Sequence, residues 1–286
     1  MVYFEAENIK EKRLNEGYFL KHRNKISIAI LIAIIICGLV EIRQARSVLS
    51  LTDPIVFIHG YKGTENSFGY MLDRFEKEYQ WGNKGLIYYV SANGQLHDYI
   101  VNAEKSGPNF IQVVLENNRA SFTQSTDYLA TVMHHLKEKY GIEAVNIIAH
   151  SMGGIISMKY IMGYEGPEYP SVDKLVTIGS PFDGIYSQEY FQINIDEAAT
   201  DLQPNSLALE MLHNSAFPKD VNVLSIGSTG DAVALSESVA ALNRIVPASQ
   251  LQEKMIRDDE LGHSALHESA EVDKLIHSFL WQDRQQ

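Results

Sequence analysis

The sequence predicts an α/β fold, a doubly wound and mostly parallel sheet, preceded by an N-terminal membrane-targeting helix. Three observations predict it. Short runs of branched apolar residues alternate with segments of helical period along most of the chain, the pattern of strand and crossover helix. A fifteen-residue uncharged stretch behind a basic flank stands near the front. Finally, in VNIIAHSMGGII, Ser151 sits between small residues where an apolar run passes straight into a second apolar segment, which reads as strand, sharp turn, helix.

Of the 286 residues, 45% are hydrophobic, ample for a large core. The single cysteine, Cys37, excludes an internal disulfide framework and a four-cysteine zinc site. Cys37 lies in ISIAILIAIIICGLV, 26–40, preceded by Lys21, His22, Arg23 and Lys25. We read 1–25 as a short cytoplasmic segment and 26–46 as a membrane anchor or signal. The long leader, the lack of a small-x-small cleavage site close behind and basic flanks able to snorkel favour an uncleaved anchor over a cleaved signal. Six Lys and Arg before the segment outnumber Arg43 and Arg46 just after it, which places the rest of the chain outside a cell membrane. From 47 onward there are 16 basic and 31 acidic side chains, a net charge of −15. That balance argues against a nucleic-acid partner. Without repeat, low-complexity tract or long linker, 47–286 reads as one domain.

In chain order, DPIVFIHG (53–60) is a strand, 61–66 a loop and 67–79 a helix. The loop Gly60-Tyr61-Lys62-Gly63-Thr64 lacks the spacing and the Gly-Lys-Ser/Thr order of a phosphate cradle. It fits an oxyanion loop, with the Tyr61 N–H aimed at a reacting carbonyl oxygen and His59 shaping the turn. Strands follow at 86–91 and 110–115, then a helix at 125–140, with Leu129, Val132, Met133 and Leu136 at three-to-four spacing and Gly141 as its stop. Strand 145–149, helix 152–164 and strand 174–179 come next. Residues 184–214 break the rhythm, with Tyr186, Tyr190, Phe191 and an amphipathic run over 202–212; a lid over the pocket and an ordinary crossover helix are both open readings. Strands at 221–227 and 251–257 and a helix at 272–281 close the chain.

A serine hydroxyl is a poor nucleophile until an imidazole takes its proton, and that imidazole works best when a carboxylate fixes its tautomer. In a doubly wound sheet the site lies outside the carboxyl ends of strands. Asp231 follows strand 221–227 across Ser228-Thr229-Gly230, and His263 precedes the last helix. Their rivals are Asp258 and Asp259, in a charged run of the kind that forms a solvated face, and His267. Asp183 reads as pocket wall; His97, His134, His135 and His150 read as surface or pocket-lining residues. His267-Glu268 lacks the H-E-x-x-H order of a zinc helix, so neither a metal nor a cofactor is expected.

IVFIHGYKGT, IIAHSMGGI, IGSPFDG, GSTGDAV and GHSALHESAEVDKLIHSFLW together resemble the α/β-hydrolase superfamily. More narrowly, over about 52–281, they resemble the cell-surface α/β-hydrolases of Gram-positive bacteria. The resemblance implies Ser151 as nucleophile, His263 as base, Asp231 as the acid that orients it, and the backbone N–H groups of Tyr61 and Met152 as an oxyanion hole. Two departures stand out: Ala149 replaces a usual glycine, and GDAVALSES follows where relatives tend to carry an Asp-Gly pair. The implied protein is a serine hydrolase acting on a small-molecule or lipid-like carboxylic ester through an acyl-enzyme. The alternatives are an inactive scaffold used for surface binding, or a thioesterase or amidase.

Overall fold

The computed structural model describes residues 51–102 and 107–281. The segment read as an anchor, 26–46, lies outside them, and among the described residues no helix is long and apolar enough to cross a membrane. Strands β1 (Thr52–Ile58), β2 (Asn83–Val90), β3 (Leu96–Ile100), β4 (Pro108–Leu115), β5 (Ala144–His150), β6 (Ser171–Ile178), β7 (Asn222–Ser228) and β8 (Leu251–Ile256) make one sheet, ordered β3-β2-β4-β1-β5-β6-β7-β8. All neighbours are parallel except β2 and β3.

The central strand shows why its run is apolar throughout. Successive side chains point to opposite faces, and both faces of β1 are covered: Ile55 and Phe57 enter one core, Val56 and Ile58 the other, each at most 1% exposed. After β1 the chain is helical, through a 3-10 turn (Glu65–Phe68), α1 (Gly69–Asp73) and a wider turn (Arg74–Glu78). Phe68 and Phe75 from this stretch meet Phe57 edge to face, with centroids 5.4 and 6.3 Å apart. The opposite face carries α2 (Phe122–Tyr140) and α3 (Met152–Gly163). Helix α2 begins where Ser121 Oγ accepts from the Gln124 N–H, 3.2 Å, and ends at Gly141, whose φ of +68° suits glycine.

Strand β3 has no counterpart in the sequence reading. It is a five-residue antiparallel edge strand, mostly exposed, and so lacks the apolar run that marks its neighbours. Its turn did carry a signal, Asn93-Gly94, with Gly94 at φ +82° and its N–H bonded to Ser91 O at 2.8 Å. Between β6 and β7 stand three short helices in place of a single crossover helix: α4 (Gln188–Ile193), α5 (Glu197–Asp201) and α6 (Leu207–His213). Each has its own side-chain cap, from Ser187, Asp196 and Ser206.

After β7 come α7 (Ser236–Ala240) and, at the end, α8 (Ala270–Trp281). Arg74 joins α8 to the helical stretch after β1. Its Nε and Nη2 donate to the two Asp273 oxygens at 2.6 and 2.9 Å, and Nη2 also reaches His267 O at 3.2 Å. The Asp273 side chain is fully buried, and burial raises its pKa against the pull of Arg74. A buried pair that loses one partner leaves an uncompensated charge. Asp273→Ala is therefore expected to cost about 3 kcal/mol, measured as a lower urea midpoint with unchanged slope.

Candidate active site

Parallel strands in register deliver their carboxyl ends to one edge of the sheet, and the loops leaving β1, β5, β6 and β7 meet there. Ser151 is the corner between β5 and α3. Its backbone sits at φ +55°, ψ −129°, and its N–H donates to Ile178 O at 2.8 Å. The corner requires small neighbours: a Cβ on Gly153 would lie 2.5 Å from Ile58 O. Ala149, at the departure from the usual glycine, is fully buried between Ile58 and Thr177 on the adjoining strands, so a methyl is accommodated.

His263 Nε2 lies 2.9 Å from Ser151 Oγ, and His263 Nδ1 lies 2.7 Å from Asp231 Oδ2. The other Asp231 oxygen accepts from the Val233 and Ala234 N–H groups, each at 2.9 Å. This buried carboxylate thus has a partner on each oxygen, the condition for keeping a charge out of water. The structure brings Ser151, Asp231 and His263 into one hydrogen-bonded chain. It does not bring the rivals there. His267 packs against the rings of His150 and Phe68. Asp259 Oδ1 accepts from Thr229 Oγ1, 2.8 Å, and Asp258 O from Ser228 Oγ, 3.0 Å, so this exposed run buttresses the turn before Asp231. Asp183 accepts from Tyr186 OH at 2.7 Å and faces Arg244 at 3.3 Å.

The loop after β1 lies directly over the corner; a Cβ on Gly60 would be 3.2 Å from Ser151 Oγ. His59 holds that loop from below, its Nδ1–H donating to Gly60 O at 2.8 Å while Nε2 accepts from the Leu115 N–H at 2.9 Å. Both nitrogens are committed to the neutral ring, and burial lowers its pKa further. His59 therefore shapes the turn. Among the described residues nothing accepts from the Tyr61 N–H. The Met152 N–H heads α3, where the helix itself supplies no acceptor.

His150 departs from the surface or pocket-lining reading. It is 7% exposed, 4.7 Å between centroids from both His263 and His267, and its Nε2–H donates to His263 O at 3.1 Å. Burial, then the neighbouring histidines, push its pKa well below the ordinary value. Gly179 was also missed. At φ +57° its Cβ position lies 3.1 Å from Asp231 Oδ2 and 3.4 Å from His263 Nδ1, so a side chain there would press on that pair. A glycine at the end of a buried strand was the available signal.

A mostly parallel eight-stranded sheet with its serine at this strand-to-helix corner defines an α/β-hydrolase fold. The chain belongs to the family described as alpha/beta hydrolase of unknown function (DUF915), whose model matches residues 43–283. Among solved structures it is similar to the lin2722 gene product of Listeria innocua, at 23% identity and a TM-score of 0.69, over 80% of this chain and 94% of that one. It is similar to a Lactobacillus plantarum protein assigned as a cell-surface hydrolase, at 21% identity and TM-score 0.62, over 82% and 91%. The mature lipase BlEst2 of Bacillus licheniformis matches at 16% identity and TM-score 0.52, over 80% and 91%. No curated protein matches the chain by sequence.

His59, His150 and His267 all have pKa values lowered by burial. On unfolding each returns to about 6.5, so below that pH the unfolded chain binds more protons and stability falls. The melting temperature is expected to drop as pH is lowered from 7 to 5. His150→Gln, which keeps an N–H donor, should make that drop shallower; an unchanged slope would refute the assignment.

Proposed function

We propose that this protein is a serine hydrolase that cleaves carboxylic esters through an acyl-enzyme. The observation that carries the reading is the chain Ser151 Oγ, His263, Asp231, at 2.9 and 2.7 Å, beside a loop whose Tyr61 amide has no acceptor among the described residues. His263 Nε2 takes the Ser151 proton as Oγ attacks the ester carbonyl. Asp231 accepts from Nδ1–H, holding the ring in the tautomer that leaves Nε2 basic and stabilising the imidazolium that forms. The Tyr61 and Met152 amides receive the negative charge that develops on the carbonyl oxygen. Collapse expels the alcohol, protonated by His263, and leaves Ser151 acylated. Water then attacks the acyl group, giving its proton to His263, and the acid leaves as Ser151 is restored. No step draws on a metal or cofactor.

The segment at 26–46, with its uncharged stretch and basic flank, supports a single-pass anchor with the hydrolase domain outside the cell. The assignment of the Lactobacillus relative as a cell-surface hydrolase accords with this. The substrate is then a small or lipid-like ester.

Fluorophosphonate is expected to label full-length protein at Ser151 and not after Ser151→Ala; folded protein that takes no label would sink the reading. Asp231→Asn should lower kcat on short-chain p-nitrophenyl esters by about 10⁴-fold, with far-UV circular dichroism unchanged. Esters of graded acyl length then separate an esterase, whose rate falls beyond short chains, from a lipase.

A further inference from the structure

The loop that carries the Tyr61 amide is tied on two sides. On the backbone side, the Lys62 N–H donates to Asn118 O at 2.9 Å and Asn118 Nδ2 donates to Gly63 O at 2.8 Å. On the side-chain side, the loop reaches into the insertion between β6 and β7. Tyr61 OH lies 2.6 Å from Asp196 Oδ2 and 3.2 Å from Asn194 Oδ1, and Lys62 Nζ donates to the same Asn194 oxygen. Asn194 is 5% exposed and spends its own Nδ2–H on Tyr190 O, 2.7 Å.

These ties add to limited apolar packing: Tyr190 and Phe191 of α4 lie partly buried against the core, and the Tyr190 ring stands 6.1 Å from that of Tyr61. Helix α4 has no buried residue, and Ile193 and Ile195, either side of Asn194, are 78% and 86% exposed. Between Tyr190 and Phe191 on one side and buried Ala198 and Ala199 on the other, the inward side chains of Asn194 and Asp196 fix the course of 193–196. Asp196 is in turn fixed: its Oδ1 caps α5 through the Ala199 N–H at 3.1 Å, and Arg119 stands 3.5 Å from its Oδ2. The Tyr61 hydroxyl meets a partner that is already placed. Burial and then the bond to Asp196 raise the hydroxyl's pKa, so it stays protonated and donates.

We propose that the Tyr61 side chain and Asp196 are positioning residues, whose hydroxyl-carboxylate bond sets the Tyr61 backbone amide where the oxyanion forms. This deepens the hydrolase reading above and rests on it. The insertion is then the outer wall of the oxyanion hole, not a lid free to open: swinging it away would withdraw a donor from the reaction. An oxyanion donor pays no reorganisation cost only when it is in place before the charge develops, and two opposed sets of hydrogen bonds supply that. Because the amide acts on the tetrahedral species and not on the ester's ground state, the loss should appear in kcat and leave KM alone.

The experiment compares full-length wild type with Tyr61→Phe, Asp196→Ala and the double variant, using p-nitrophenyl acetate and a boronic acid that adds to Ser151 as a tetrahedral anion. Tyr61→Phe is expected to lower kcat about tenfold, a fraction of what deleting a donor outright costs, with KM within about twofold. Boronate affinity should fall by the same factor. The double variant should be no slower than the slower single, since both remove one interaction. If Asp196→Ala unfolds for want of its helix cap, Asp196→Asn, which retains a polar partner for the hydroxyl, is expected to keep most of the turnover that Tyr61→Phe loses. Unchanged kcat and boronate affinity in Tyr61→Phe, a raised KM with kcat intact, or losses that multiply in the double variant would each overturn the proposal. Wild type that takes no fluorophosphonate overturns the hydrolase reading and this one together. Wild type that labels and turns over, with Tyr61→Phe equal to it, overturns this one alone.

Discussion

Ser151 is held at φ +55° and ψ −129°, a backbone state that a residue with a side chain enters at a cost of order 1–3 kcal/mol and keeps only when its surroundings over-determine it. They do so here from three directions. β6 takes its amide through Ile178 O, β1 closes against Gly153, and the loop after β1 lies over the serine's own Cβ. Helix α3, apolar on nearly every side, cannot shift to relieve the strain without exposing Met152, Ile155, Ile156 and Met158. The sheet's packing energy is thereby spent on aiming one hydroxyl away from the core and toward His263.

Around that hydroxyl the protein gathers rings it keeps neutral. His59 is locked by two backbone bonds, and His150 is wedged between His263 and His267. Burial disfavours charge on all three. They act as shaped, hydrogen-bonding filler: one bends the loop above Ser151, another grips the carbonyl of His263. Farther out, Arg74 extends the same support, binding both Asp273 on α8 and the carbonyl of His267.

The parts legible in the sequence are those whose information is local. The corner was readable because small residues on either side of a serine answer a steric demand within five positions. Helix α2 was readable because Leu129, Val132, Met133 and Leu136 repeat along one face and Gly141 ends it. Because loops at the strand ends share an edge, Asp231 and His263 stood out as candidates beside Ser151; the choice of His263 over His267, and the roles of the three, came from the resemblance to α/β-hydrolases. Strand β3 was invisible to a search for buried runs, being an edge with water on it. The insertion stayed ambiguous because helices of five to seven residues complete too few turns to establish a period. His150 was beyond reach for a different reason. Whether it lines the surface or the core depends on a loop 113 residues away, and nothing in its neighbours announces that.

On the proposed mechanism His263 is the base, and it stands at the start of the 3-10 turn just before α8, 112 residues beyond Ser151. Chain order is also the order of synthesis, so Ser151 leaves the ribosome long before the imidazole proposed to activate it. On that mechanism Ser151 would be an ordinary alcohol until 263–281 had emerged and docked, and a strand-by-strand intermediate with a complete corner would carry no reactive group. The Ser151–His263 bond, spanning 112 residues, would on that mechanism tie the onset of reactivity to the docking of α8. The same mechanism would leave a nascent or stalled chain that lacks 263–281 chemically silent, whatever fraction of its sheet had formed.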